Sequence, residues 1–280
     1  MSKTIALLHP GEMGAAVGAC LVGGGNRVRW VSAGRSGATR ARAAGAGLEE
    51  VQTVKEALAG ADIVLSVCPP HAALDVAREV AGHGFGGVYV DANAVAPGTA
   101  REVSRIVGAA GAHMVDGGIV GSPPSPKNST RLYLAGNGGA DIAALFAGSH
   151  LGTVVLDGPA GAASALKVCY AGWTKGSMAL LADIRTLAQA EGVDGALLAE
   201  WKISRPAVIK DSELVTGAAR KAWRWIAEME EIAASFEAAG LPGHFHHGAA
   251  EIYRRLEAFK DTATPPEMAK VMAILKANGR

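Results

Sequence analysis

The chain has 280 residues, 49% of them hydrophobic, and a formal net charge of +1, so it can bury a sizeable core as one large domain or two ordinary ones. Near-neutral charge without a basic run excludes the electrostatic footprint of a nucleic-acid binder or of a protein that reads an anionic membrane, and no uninterrupted apolar stretch approaches the roughly 20 residues that span a bilayer. The three cysteines, Cys20, Cys68 and Cys169, lack metal-type or CxxC spacing, and His9 to Glu12 interrupt the apolar start before a signal peptide could form. The expectation is a soluble, cytoplasmic protein with reduced thiols and a small-molecule partner, without nucleic acid or membrane.

Thr4 to Leu8 is a short, continuously apolar run of the kind that a parallel strand buried on both faces requires. It leads into His9-Pro-Gly11-Glu12-Met13-Gly14, and Ala15 to Leu21 reads as a helix. Strand, glycine turn and helix start in this order are the context of a dinucleotide fingerprint, with Gly11 letting the backbone approach a pyrophosphate, Gly14 allowing close helix and strand packing, and the helix N-terminus supplying N–H donors. The first glycine of the usual GxGxxG is absent, and His9 stands in its place.

Gly23 to Asn26 turns the chain into a second strand, Val28 to Val31, completing a βαβ unit. An NAD site carries an acidic residue near the end of this strand to accept hydrogen bonds from the ribose 2′-hydroxyl, yet the first acidic residue after Glu12 is Glu49. The strand instead ends in Ser32-Ala-Gly-Arg35-Ser36, a guanidinium and a hydroxyl suited to a 2′-phosphate, which favours NADP(H); the alternative for Arg35 is a solvated loop arginine.

The alternation continues with a helix over 53–60, a strand over 62–67 ending in Cys68-Pro69, an amphipathic helix over 71–81, a strand over 87–90 closing on Asp91-Ala-Asn93, a helix over 99–110 and a strand over 113–115. Two further strands, 131–134 and 154–156, flank a helix over 141–147. This pattern predicts a mostly parallel, doubly wound sheet, with ligands outside the strands' carboxyl ends where Cys68, Pro69 and Asn93 fall. Asn93 suits a hydrogen bond to nicotinamide or ribose, or a cap on its own backbone. The segment Asp116-Gly-Gly118-Ile-Val120-Gly121-Ser122, followed by prolines, reads either as a loop whose N–H groups hold an anionic or carbonyl substrate or as a proline-rich connector.

From 162 to about 191 the sequence lacks proline and shows helical periodicity, a rod on the order of 45 Å. Lys167, Tyr170 and Thr174 fall on one face of it at i, i+3 and i+7, with Lys175 beside them. Lys167 is the leading candidate for proton transfer; a lysine whose stem packs while its head reaches water is the competing use. Only helical patterns follow, over 196–203, 206–211, 218–239, 249–259 and 266–277, so that a helical lobe (160–280) is expected after a nucleotide-binding lobe (1–159). Trp223 and Trp225 are expected to pack in a core or interface, and His244, His246 and His247 to serve in a loop or subunit contact rather than bind a metal.

Gly11-Glu-Met-Gly14, Arg35-Ser36, Asp91 to Pro97, the Asp116 glycine segment and Gly161 to Lys167 together resemble the β-hydroxyacid dehydrogenase family, which includes the 3-hydroxyisobutyrate and 6-phosphogluconate dehydrogenases. The helical half is most similar to a branch of unassigned substrate with a phosphogluconate dehydrogenase-like last domain. The resemblance implies an N-terminal Rossmann domain, an all-α C-terminal domain joined by the long helix, a homodimer, a catalytic lysine at Lys167, and substrate contacts from Gly118, Val120, Gly121, Ser122, Tyr170, Thr174 and Lys175. This sequence departs from the family at Val120, where a hydroxyl residue is usual, at Ala171, where asparagine is usual, and near Glu228, where a second lysine is usual. The reading is hydride transfer between NADP(H) and a small secondary alcohol or ketone, with Lys167 as general acid and base. The rivals are an imine reductase, kept in view by Tyr170, a non-catalytic NADPH sensor, and an oxidative decarboxylase.

Overall fold

The computed structural model describes residues 2–260 and 262–277. Two compact units divide at Val168 and Cys169, a point inside one long helix.

The first unit is built on an eight-stranded sheet. In chain order it contains β1 (Thr4–Leu8), α1 (Glu12–Gly23), β2 (Arg27–Val31), α2 (Gly37–Gly45), β3 (Glu49–Val51), α3 (Val54–Leu58), β4 (Ile63–Ser66), α4 (Ala73–Gly82) and β5 (Val88–Asp91). Then come α5 (Pro97–Ala109), β6 (His113–Val120), β7 (Arg131–Ala135), α6 (Gly139–Ala144), β8 (Gly152–Val155) and the start of α7 (Ala162–Ala190). The strand order is β3-β2-β1-β4-β5-β6-β7-β8, parallel throughout except where β6 meets β7. The doubly wound, mostly parallel sheet expected from the sequence is therefore present.

Side-chain alternation explains why the strands read as unbroken apolar runs. Ile5 and Leu7 enter one core with Val17 and Leu21 of α1 and Ile142 of α6, whereas Ala6 and Leu8 enter a second core with Val76 and Val80 of α4 and Val103 and Val107 of α5. Both faces of the sheet are covered, so the central strands β1 and β4 run apolar at consecutive positions, Ile5 to Leu8 and Ile63 to Leu65. At about 25 cal/mol per Å² of apolar surface removed from water, each large aliphatic side chain buried this way contributes about 2 kcal/mol.

Two local readings are corrected in this unit. The Asp116 segment is no loop: it continues β6 as far as Val120, antiparallel to β7. Its glycines disguise the strand, and each is required by a close backbone approach, since a Cβ on Gly117 would lie 2.8 Å from the Asp91 carbonyl oxygen and one on Gly118 2.7 Å from that of Ala163. Helix α2 and strand β3, absent from the sequence reading, supply the outer edge of the sheet; Ser36 caps α2 by accepting a hydrogen bond from the Thr39 N–H.

The second unit contains the rest of α7 and α8 (Asp194–Ser204), α9 (Pro206–Ala219), α10 (Ile226–Ala238), α11 (His244–Arg255) and α12 (Met268–Ala277). Here α9 runs through Gly217, whose cost in a helix is only about 1 kcal/mol. The expected helix over 218–239 is broken by a short 3₁₀ turn at Ala222–Arg224. Residues two apart point in nearly opposite directions on a helix. The break allows Trp225 to meet Tyr253 edge to face at 5.2 Å while Trp223 lies under the Lys260 ammonium at 4.2 Å. The histidine run begins α11 rather than sitting in a loop.

Candidate functional site

At the carboxyl end of β1 the chain makes its sharpest turn. His9 is left-handed, with φ 69°, and the Gly11 N–H donates back to its carbonyl at 2.8 Å. Glycine adopts this conformation freely, whereas a side chain costs about 1 kcal/mol. Gly14 cannot be replaced without movement, because a Cβ there would stand 2.6 Å from the His9 carbonyl oxygen. Gly11 is the opposite case: a Cβ there would meet no described atom within 4 Å. Among the described residues no side chain caps α1, and an uncapped helix N-terminus suits an anion. Glu12 and Met13 occupy its first turn, Glu12 exposed and Met13 packed against the core below.

A cavity of about 540 Å³ adjoins this turn, walled by His9, Ala33 and Arg35, by Gln52, Thr53 and Lys55, by Val76 and Glu79 of α4, and by His83 just after it. Burial, followed by the nearby Arg35 guanidinium, holds the His9 imidazole down at about 4, so the ring is neutral at pH 7. Its Nδ1 is buried and has no hydrogen-bond partner among the described residues. An open helix N-terminus beside a cavity with Arg35 and Lys55 on its walls fits the pyrophosphate and phosphorylated adenosine of a dinucleotide. Sequence reasoning singled out Arg35 and Ser36, but missed Gln52, Thr53 and Lys55, which only the unseen β3 brings to the same wall.

At the ends of β4 and β5 the polar groups satisfy one another. The Asn93 Oδ1 accepts from the Cys68 N–H at 2.6 Å, while its Nδ2 donates to the Ser66 hydroxyl and to Asp91 Oδ2, each at 3.1 Å. Asn93 thus ties two strands together with its side chain engaged inside the protein, and Pro69 remains exposed beside it. Burial raises the Cys68 thiol to about 11, so it is no nucleophile. Burial also pushes Asp91 up to about 7, opposed by the Asn93 N–H and reinforced by Asp116, its register partner on β6.

Asp116 organises the start of α7. Fully buried, it accepts hydrogen bonds from the N–H groups of Gly161 (2.8 Å), Ala163 (2.8 Å) and Ser164 (3.1 Å) and from the Ser164 hydroxyl (2.6 Å). A carboxylate at this position meets both the unpaired donors and the positive end of the helix dipole. Lys167 follows within the next turn, half-buried, and packs over Gly118: a Cβ on that glycine would lie 3.1 Å from the Lys167 Cβ. Gly118 and Lys167, far apart in sequence, are therefore brought together, and a side chain on Gly118 would displace the lysine. Val120 is buried at the strand's end, while Gly121 (φ 122°) and Ser122 form the exposed turn after it.

The remaining candidates lie on α7 within the second unit. Tyr170 is exposed, and its carbonyl accepts the Thr174 hydroxyl at 3.0 Å. Lys175 is committed to a partly buried ion pair with Glu228, lies 5.6 Å from the Trp225 ring centre, and has its carbonyl bound by the Tyr253 hydroxyl at 2.5 Å. Glu228, at the position where the family usually places a lysine, is thus the partner of one. On α11, His246 packs against the rings of Phe236 and Phe245, and His247 lies between Glu230 (2.6 Å) and Glu237 (3.0 Å). Among the described residues no group of three or more side chains could hold a metal, and no helix is long and apolar enough to cross a membrane.

Comparison with known proteins agrees with this geometry. The family described as the NAD binding domain of 6-phosphogluconate dehydrogenase matches residues 4–145, and a domain of unknown function (DUF1932) matches residues 188–256. A Mycobacterium tuberculosis protein named probable 3-hydroxyisobutyrate dehydrogenase is 28% identical over 173 residues, 59% of this chain and 57% of its own length. The matches to curated relatives, which include an uncharacterized 28.5 kDa protein from Methanothermus fervidus, span 57% to 63% of the relatives' length. A conserved hypothetical protein from Sinorhizobium meliloti, of known crystal structure, is 25% identical with a TM-score of 0.72, covering 99% of this chain and 97% of its own. The structure of the Mycobacterium tuberculosis 3-hydroxyisobutyrate dehydrogenase with L-serine shares the fold, with a TM-score of 0.72, 22% identity and coverage of 99% and 100%. With half the chain matched by the nucleotide-binding domain of this family, the protein belongs to the β-hydroxyacid dehydrogenase family of nicotinamide-dependent oxidoreductases.

Proposed function

We propose that the protein is an NADP(H)-dependent oxidoreductase that moves a hydride between nicotinamide and a small secondary alcohol or its ketone, with a β-hydroxyacid-like substrate. The observation that carries this reading is Lys167, held on the first turns of α7 by the Asp116 cap and packed on Gly118 of β6. When bound, the cofactor supplies or accepts the hydride. The protein's own task is the proton: Lys167 takes it from the substrate hydroxyl during oxidation and returns it to the carbonyl oxygen during reduction. The N–H groups of the Gly121 and Ser122 turn suit a substrate carboxylate. Arg35, with Ser36 beside it, suits the 2′-phosphate, and the uncapped start of α1 suits the pyrophosphate.

A homodimer belongs to the same reading. Trp173, Leu180 and Leu187 repeat every seven residues along α7 and are 76%, 43% and 64% exposed, an apolar row that a second copy would cover. Sedimentation at micromolar concentration that shows only monomer would remove this part.

The activity is tested by following NADPH oxidation with purified protein against 3-oxoacids, aldehyde acids and cyclic imines. Turnover on an oxo compound, reversed with the matching hydroxyacid and NADP⁺, is expected. Activity on imines alone would replace the reading with imine reduction, and tight NADPH binding without turnover on any compound would replace it with a sensor.

A further inference from the structure

We propose that His9 is a specificity-determining residue that reads the phosphorylated ribose of the cofactor's adenosine end together with Arg35 and Lys55, a role that rests on the NADP(H) reading above. Three observations converge on it. First, His9 holds the place in the dinucleotide turn where glycine is usual, and it does so in the left-handed conformation that glycine adopts without penalty. A backbone conformation kept at a cost on the wall of a ligand cavity points to a use for the side chain.

Second, the imidazole lines the same cavity as Arg35, which follows β2, and Lys55, on α3, and its buried Nδ1 has no hydrogen-bond partner among the described residues. With Nδ1 sealed inside the protein, the ring's other nitrogen, Nε2, is the one left to meet a ligand in a cavity that carries two cations on its walls. Third, the chemistry is complementary. A neutral ring can donate from Nε2 to a phosphate oxygen, or accept there from a ribose hydroxyl, without adding a third positive charge beside Arg35 and Lys55. Glu79 of α4 and His83, just after that helix, line the same cavity. The Glu79 carboxylate repels an oxyanion, which assigns the phosphate to the side of His9, Arg35 and Lys55.

The test uses the full chain and calorimetric titration with NADPH, NADH and adenosine 2′,5′-bisphosphate. Two variants are compared, His9→Gly, which removes the ring and the backbone penalty together, and His9→Asn, since asparagine tolerates left-handed backbone. Both are expected to remain folded, to bind NADPH and the bisphosphate about tenfold more weakly, and to change NADH binding less than about threefold. Unchanged NADPH affinity in either folded variant would overturn the proposal, as would equal weakening for NADPH and NADH, which would mark His9 as a turn residue only. Wild-type protein without preference for NADPH over NADH would instead overturn the underlying cofactor reading. A preference lost in Arg35→Ala but intact in His9→Asn would overturn the role of His9 alone.

Discussion

The two helices that begin beside the carboxyl ends of the central strands, α1 and α7, start from the same electrostatics and end with different occupants. At α7 the buried carboxylate of Asp116 takes three backbone N–H groups and the Ser164 hydroxyl, so the positive end of the helix is closed by the protein's own anion. At α1 no described side chain caps the first turn, and Gly11 leaves the approach clear. A helix N-terminus is available to a foreign anion only where the fold has not already supplied one. The closed end therefore fixes the position of Lys167, and the open end is the one we propose for the cofactor.

The largest expected effect comes from breaking the closed end. Asp116→Ala leaves buried donors without acceptors and should cost about 3–5 kcal/mol in urea unfolding, with turnover falling as the start of α7 frays. A loss below about 1 kcal/mol would show that the cap does not hold the helix.

Next comes the neighbouring strand, where Asp91 lies beside Asp116 and accepts hydrogen bonds from the Asn93 N–H and side-chain amide. Its carboxyl, ordinarily near 3.8, is pushed up to about 7, so the native state keeps a proton that the unfolded chain releases near pH 4. Between those values the native state binds more protons, and stability contributed by this group is present below pH 4 and lost as pH rises to 7, by about 4 kcal/mol at most. In Asp91→Asn the difference from wild type should vary across this window; a constant offset from pH 4 to 8 would contradict the raised value.

The smallest effect tests the open end. Gly11→Ala should leave the melting temperature nearly unchanged, because its Cβ meets no described atom within 4 Å, yet weaken NADPH binding about tenfold by occupying the pyrophosphate's space. Unchanged binding would mean that the open N-terminus is not where the cofactor sits.

The sequence made the alternation of strands and helices legible because a sheet covered on both faces needs continuous apolar runs, and Ile5, Leu7, Val64 and Leu65 display that need directly. The α1 turn was legible for a related reason, since glycine spacing records backbone proximity. What stayed hidden depends on contacts distant in the chain. Gly117 and Gly118 look like loop residues until Asp91 and Ala163 approach them, and Asp116 reads as a loop aspartate until the α7 N-terminus, more than forty residues later, arrives against it. Lys55 sits in an unremarkable short helix, and only β3 beside β2 carries it to the wall shared with Arg35. Lys175 was legible as a lysine on the right face, while its commitment to Glu228 required the folded second unit.

The central claim is that one amine, fixed by the closed end of α7, moves the substrate's proton. Its most direct test is Lys167→Met, with NADPH affinity and single-turnover hydride transfer measured on the same preparation. The account predicts cofactor affinity within about threefold of wild type and hydride transfer slowed about 100-fold or more, partly restored by added small primary amines. Hydride transfer at the wild-type rate with normal cofactor binding would contradict it.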